Sequence, residues 1–288
     1  KEAIIQYQFD RANDVTHSYD FYYTPGGDFS INKETGGGYG TPTQEMVESY
    51  ELATGGFPDW TPWHDVTTQT PPYADLEPRF HASVLYNGAP WKGRKIEPYV
   101  GGADGWCQWN LEREPKGRTT TGYYPRKMVD ESHDVIAYSG GVQPLIVLRY
   151  AEVLLNKAEA CHKTNDPAGA NAAVRAIRDR VGLPYEDVTG DDLWKAIRQE
   201  RKVELAYEGL WYWDLRRWKV AHKPYPEGLT GYQQHGLKIE KNNDGTFTYT
   251  YVSVDDQDRN FPEKMYRFPM PTGELNNNGK VEQYSEWK

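Results

Sequence analysis

The sequence predicts a mainly α-helical protein in which antiparallel helical hairpins carry a loop-rich subdomain with small β-hairpins. Three observations predict it. Apolar residues recur at three- and four-residue spacing through residues 144–222, the period of helices with one buried face. Residues 1–141 and 223–288 are instead dense in Gly, Pro, Asn, Tyr and Trp with only short periodic stretches, the composition of long ordered loops. The run Asn242-Asn243-Asp244-Gly245, placed before Thr246–Val254, is the strongest turn signal in the chain and reads as a β-hairpin.

Taken in chain order, Ile5, Tyr7 and Phe9 alternate as on a half-buried strand. Helices are expected over 43–53, opened by Pro42-Thr43, and near 77–86. Four consecutive helices follow. The first, 145–162, aligns Leu148, Ala151, Leu155, Ala158 and His162 on one stripe that Val153 and Leu154 widen. The second has Asp166 as N-cap and Pro167 at its first position, runs through Ala170, Val174, Ile177 and Val181, and stops at Gly182. A third starts at Asp191-Asp192 and passes through Leu193, Ile197 and Leu205 before Gly209, and a fourth runs from Trp211 to about Ala221. Small Ala residues at packing positions let such helices approach closely, and the arrangement resembles tetratricopeptide-type units.

Bulk properties exclude whole classes. A chain of 288 residues, 38% hydrophobic, buries a core as one large or two small domains. Its 42 acidic and 33 basic residues give a net charge of −9, without a Lys/Arg cluster long enough to follow a phosphate backbone. Apolar runs never approach the roughly 20 residues that span a bilayer. Cys107 and Cys161 form neither a metal knuckle nor a disulfide framework. The start at Lys1, without Met, signal peptide or lipid-attachment Cys nearby, reads as a fragment or processed chain.

The aromatic residues carry the functional signal. Ten Trp and 22 Tyr against eight Phe is a skew toward rings with an apolar face and a hydrogen-bonding edge. Sugar rings lie well on such faces while their hydroxyls take polar neighbours, here Asp20, Asn32, Asp59, His64 and Asp65. The candidate ligand-binding residues are Tyr22, Tyr23, Tyr39, Trp60, Trp63, Tyr73, Trp106 and Trp109, all in loop-rich sequence. The competing reading makes each ring part of a satellite core beneath a long loop. Trp211, Trp213 and Trp218 read as structural, since Trp211, Leu215 and Trp218 share one helix face.

Catalytic residues and metal ligands are not assigned. Glu200, Glu204 and Glu208 repeat at four-residue steps, and Arg216 and Arg217 follow Asp214 within one turn, as in ion pairs that lock helices together. Calcium is the one ion considered, at Asp255-Asp256-Gln257-Asp258 or Asn242–Gly245, but both lack the spacing and closing Glu of an EF-hand. The His residues show no metal-ligand spacing, and Gly36–Gly40 does not open a phosphate-binding helix.

Several motifs together resemble the SusD/RagB family of outer-membrane nutrient-binding lipoproteins. They are Leu148-Arg-Tyr-Ala-Glu-Val-Leu-Leu-Asn-Lys-Ala-Glu-Ala160, Ile177–Gly182, Ala196–Gly209 and Trp213-Asp-Leu-Arg-Arg-Trp218. Pro42–Gly55, Leu76-Glu-Pro-Arg-Phe80 and the tail Tyr266-Arg-Phe-Pro-Met-Pro271 with Gln283 and Trp287 extend the likeness. Departures fall in scaffold motifs: Leu210-Trp211 stands where the family has His-Arg, and Tyr284 and Glu286 replace Asn and Gly. The resemblance implies a SusD-like fold in which this chain, residues 1–288, is the C-terminal portion, with a helical scaffold at 144–222 and a ligand-facing part at 1–141 and 223–288. An N-terminal half is expected to be absent. It further implies a non-enzymatic, lipid-anchored protein on the outer face of the cell outer membrane, passing a glycan to a SusC-like TonB-dependent transporter. A peptide-binding member of the family is the alternative, and a glycoside hydrolase, which needs two carboxyl groups about 5–9.5 Å apart, is a further one.

Overall fold

The computed structural model describes residues 2–29, 36–108 and 118–288. Asn32 and Trp109 lie outside the described residues. In chain order the elements are β1 (Ala3–Tyr7), α1 (Tyr19–Tyr23), α2 (Gln44–Val47), β2 (Val66–Thr67), α3 (Pro78–Ser83), β3 (Val84–Leu85), β4 (Pro90–Trp91), β5 (Arg94–Lys95), β6 (Tyr124–Pro125) and β7 (Leu145–Arg149). They continue with α4 (Tyr150–Lys163), α5 (Pro167–Arg180), α6 (Gly190–Glu204), α7 (Trp211–Arg217), β8 (His235–Lys241), β9 (Phe247–Ser253) and α8 (Thr272–Asn277). The result is mainly helical with small antiparallel strand pairs, as the pattern predicts. Two compact units are distinguished: Lys1–Tyr207 with Gln234–Asp255, and Glu208–Gln233 with Asp256–Lys288.

In the larger unit α4, α5 and α6 pack together through Ala158, Ala170, Ala173, Val174, Leu193 and Ile197, so the small residues set close contacts. The α5 cap is as expected: the Asp166 carboxylate accepts the Gly169 N–H at 2.9 Å, and Pro167 follows it. The first expected helix begins five residues late. Leu145–Arg149 is a strand, paired antiparallel with β1 through Ile5↔Leu148 and Tyr7↔Leu145. Ile146 and Val147 favour that extended state, and a partner strand available only in the tertiary fold decides it. The two short expected helices are also trimmed. Thr43 caps α2, its hydroxyl accepting the Met46 N–H at 3.4 Å, but the helix ends at Val47; α3 gives way at Val84 to a strand paired with β6.

The hairpin at Asn242–Gly245 forms as predicted, with β8 and β9 in register from His235↔Ser253 to Lys241↔Phe247, and β2 adds the outer strand of a three-stranded sheet. Leu237, Ile239 and Tyr249 turn one face of this sheet into the main core, with Val47, Tyr50, Phe80 and Tyr123. Gly236 permits a close crossing, since a Cβ there would meet the Thr121 backbone at 2.4 Å.

The charged residues of α6 serve packing. Arg178 holds Glu51 with two bonds of 2.8 Å and Glu200 at 3.2 Å. Arg79 donates to Glu77 at 2.6 Å, to Glu204 at 3.2 Å and to Glu200. Arg149 holds the Glu204 carboxylate and its backbone carbonyl, each at 2.7 Å. In the smaller unit Asp214 pairs with Arg217 at 2.8 Å, while Arg216 reaches the Tyr212 hydroxyl and the Tyr266 carbonyl at 3.0 Å each.

Candidate ligand-binding surface

The eight candidate rings separate by burial. Trp60 is 6% exposed, Trp63 8% and Tyr73 3%, and all three belong to the main core. The expectation that they form an open platform is therefore corrected: at these exposures no ring face is available to a ligand. Local geometry explains it. A short turn of helix at Thr61–Trp63 folds the two indoles together at 5.6 Å, and Trp63 Nε1 donates to the Gln69 carbonyl at 2.9 Å. Tyr73 is one link in a buried chain: Tyr123 donates to Gln44 Oε1 at 2.6 Å, so the Tyr73 hydroxyl at 2.9 Å donates to Tyr123. Burial pushes the Tyr73 phenol well up, so it stays protonated.

The rings on and beside α1 divide again. Tyr23 stacks on Tyr19 at 4.2 Å and packs against the cluster of Leu85, Trp91, Ile96 and Tyr124. Tyr22, the neighbouring residue on α1, stays open. The segment 36–39 returns beside α1, with the Gly37 N–H donating to the Phe21 carbonyl at 2.9 Å and the Tyr39 N–H to the Tyr22 carbonyl at 3.0 Å. Gly37 permits that approach, with φ +82° and a hypothetical Cβ only 2.5 Å from the Thr24 carbonyl. Tyr39, 58% exposed, then meets Tyr22 edge to face at 5.3 Å.

Beneath this pair α1 is fastened by Asp20, which is completely buried. Its carboxylate accepts from the Asp130 N–H at 3.0 Å, Gln143 Nε2 at 2.7 Å and His133 Nδ1 at 2.7 Å. Asp20 therefore anchors the platform rather than meeting a ligand, unlike its expected role as a polar neighbour. Of the other polar neighbours, the exposed Asp59 accepts the Thr61 N–H at 2.9 Å and His64 sits 2.7 Å from Glu48.

Trp106 lies apart from both groups. Its backbone bridges to Thr119, its Nε1 donates to the Thr120 carbonyl at 3.2 Å, and the half-buried ring lines a depression of about 380 Å³. Val100, Val252 and Val254 supply apolar walls, and Gln108, Ser253 and Lys238 the polar atoms. Lys238 Nζ lies 5.7 Å from the indole centroid. That volume is at the lower end of small-ligand sites. The sequence singles out the ring but not its neighbours. Lys238 could have been found from β8, where alternation sends Leu237 and Ile239 inward and Lys238 outward.

Trp213, read from the sequence as structural alongside the face of Trp211, Leu215 and Trp218, is placed differently. Leu215 is buried and Trp211 and Trp218 pack beside it, yet Trp213 points outward, 53% exposed, beside Phe268 at 6.5 Å. Among the described residues no three or more His, Cys, Asp or Glu converge on a metal-ion position, and no helix is long and apolar enough to cross a membrane.

The profile of the SusD family matches residues 1–287. The chain belongs to the SusD family. Its fold superimposes with a TM-score of 0.74 on a SusD-like protein from Bacteroides fragilis NCTC 9343, at 27% identity over 99% of this chain and 54% of that one. A SusD-like carbohydrate-binding protein from the same organism gives a TM-score of 0.74 at 25% identity, covering 98% of this chain and 54% of the other. SusD-like protein P38 of Formosa agariphila is 39% identical over 87 residues, 27% of this chain and 17% of that protein. The chain thus spans about half the length of the solved SusD-like proteins it matches.

Proposed function

We propose that this protein is a non-enzymatic glycan receptor of the cell surface, lipid-anchored to the outer membrane in its full-length form, that hands its ligand to a SusC-like TonB-dependent transporter. The observation that carries the reading is the exposed Tyr22–Tyr39 pair, held rigid by the buried Asp20 anchor, on a SusD-like fold. Two phenolic rings fixed at right angles offer apolar faces for sugar C–H groups and hydroxyls for sugar oxygens, at low entropic cost because little of the surface must be ordered on binding. The buried acids of α6 are each engaged by arginine, which supports binding over hydrolysis.

Titrating the purified protein with a panel of oligosaccharides tests this. Tyr22→Ala and Tyr39→Ala should each weaken binding by about tenfold, roughly 1.4 kcal/mol, with no reducing ends released. Reducing-end release by the unchanged protein, or binding indifferent to both variants, would count against the reading. Co-purification of a large outer-membrane β-barrel with the full-length protein is the check on delivery.

A further inference from the structure

We infer that the Trp106 depression is a second saccharide subsite selective for sugars bearing an acid group, a carboxylate or a sulfate. The inference rests on the glycan reading above and deepens it. Among its described lining residues Lys238 is the one charged side chain, in a chain whose net charge is −9. A protein of that charge repels anions on average, so an anionic ligand needs a local cation.

The geometry fits one. The indole N–H is already spent on the Thr120 carbonyl, so the ring contributes its face and apolar edge rather than a donor. A pyranose stacked there projects its acidic substituent from the rim of the sugar ring, within reach of an ammonium 5.7 Å from the indole centroid. Gln108 and Ser253 add polar side chains to the same lining. Lys238 is paired with Glu240 at 3.1 Å, but the two side chains are 31% and 48% exposed, and open pairs of this kind are weak. An arriving acid group displaces Glu240 from the lysine.

The test compares three oligomers of similar length by calorimetry at low and high salt: an oligogalacturonate, a sulfated galacto-oligosaccharide and a neutral galacto-oligosaccharide. At least one acidic oligomer should bind about fivefold tighter than the neutral one at low salt, with the gap closing as salt rises. Preference between the two acids separates carboxylate from sulfate. Lys238→Gln should weaken the acidic ligand about fivefold more than the neutral one, whereas Glu240→Gln, by freeing the lysine, should tighten the acidic ligand by about twofold. Trp106→Ala should weaken all oligomers by about tenfold or more. Equal binding of charged and neutral oligomers, or unaltered binding in the Lys238→Gln and Glu240→Gln variants, overturns the inference and leaves the glycan reading standing. Binding of none of the three oligomers also overturns the inference, while the oligosaccharide panel and the Tyr22→Ala and Tyr39→Ala variants decide the glycan reading separately.

Discussion

Trp63 and Tyr39 sit in similar Gly-, Pro- and aromatic-rich sequence, and the fold sends them to opposite fates. Trp63 is in the main core, with its indole N–H bound to Gln69, while Tyr39 stands in solvent against Tyr22. Local composition could name both as candidates but could not separate them, because burial depends on which distant segments close over a loop. Leu237, Ile239 and Tyr249, far along the chain, complete the core that takes in Trp63. The energetic consequence is direct. Trp63→Ala should destabilise the protein by about 3–5 kcal/mol in urea unfolding, whereas Tyr39→Ala should change stability by about 0.5 kcal/mol or less. A Trp63→Ala protein of undiminished stability that no longer binds ligand would return that ring to the site.

At the level of elements, the four-residue repeat of Glu200 and Glu204 on α6 was legible as an ion-pair face, but its partners were not. Arg79 comes from α3, Arg149 from the end of β7 and Arg178 from α5, so one helix gathers cations from two other helices and a strand. Arg79 contacts Glu77, Glu200 and Glu204, all nearly inaccessible. Removing it leaves three buried carboxylates short of a cation, and Arg79→Ala should cost about 3–5 kcal/mol, measured by the urea midpoint. Replacing Arg175, whose pair with Asp187 is open to water, should cost about 1 kcal/mol or less. Equal effects would mean that burial does not govern these pairs. Residues 145–149 teach the same lesson from the backbone: their apolar spacing continues that of α4, yet pairing with β1 makes them a strand.

Across the molecule, the buried carboxylates set its acid tolerance. Burial alone would raise Asp28 and Glu204, but Arg94, Trp91 and Lys92 around the first, and Arg149, Arg180 and Arg79 around the second, outweigh it and hold both below the usual carboxylate range. A carboxyl lowered in the folded state stabilises the fold above its unfolded value, about 4, and that contribution is lost as pH falls through the lowered folded value. Glu77 has the opposite sign: burial outweighs Arg79 and raises it, so its protonation relieves a cost. The urea midpoint should therefore stay level from pH 7 to about 5 and fall below about 4, and Glu77→Gln should steepen that fall. A level midpoint down to pH 3 would show that Asp28 and Glu204 are not ionised partners of these arginines. By itself the sequence determined the helical scaffold, the turn at Asp244-Gly245, the ion-pair face of α6 and the SusD-family motifs, because periodicity, caps and turn residues act over a few positions. Only the tertiary structure decided that Trp60, Trp63 and Tyr73 are core, that Tyr22 meets Tyr39, and that Lys238 faces Trp106, because exposure and convergence are properties of segments brought together from afar.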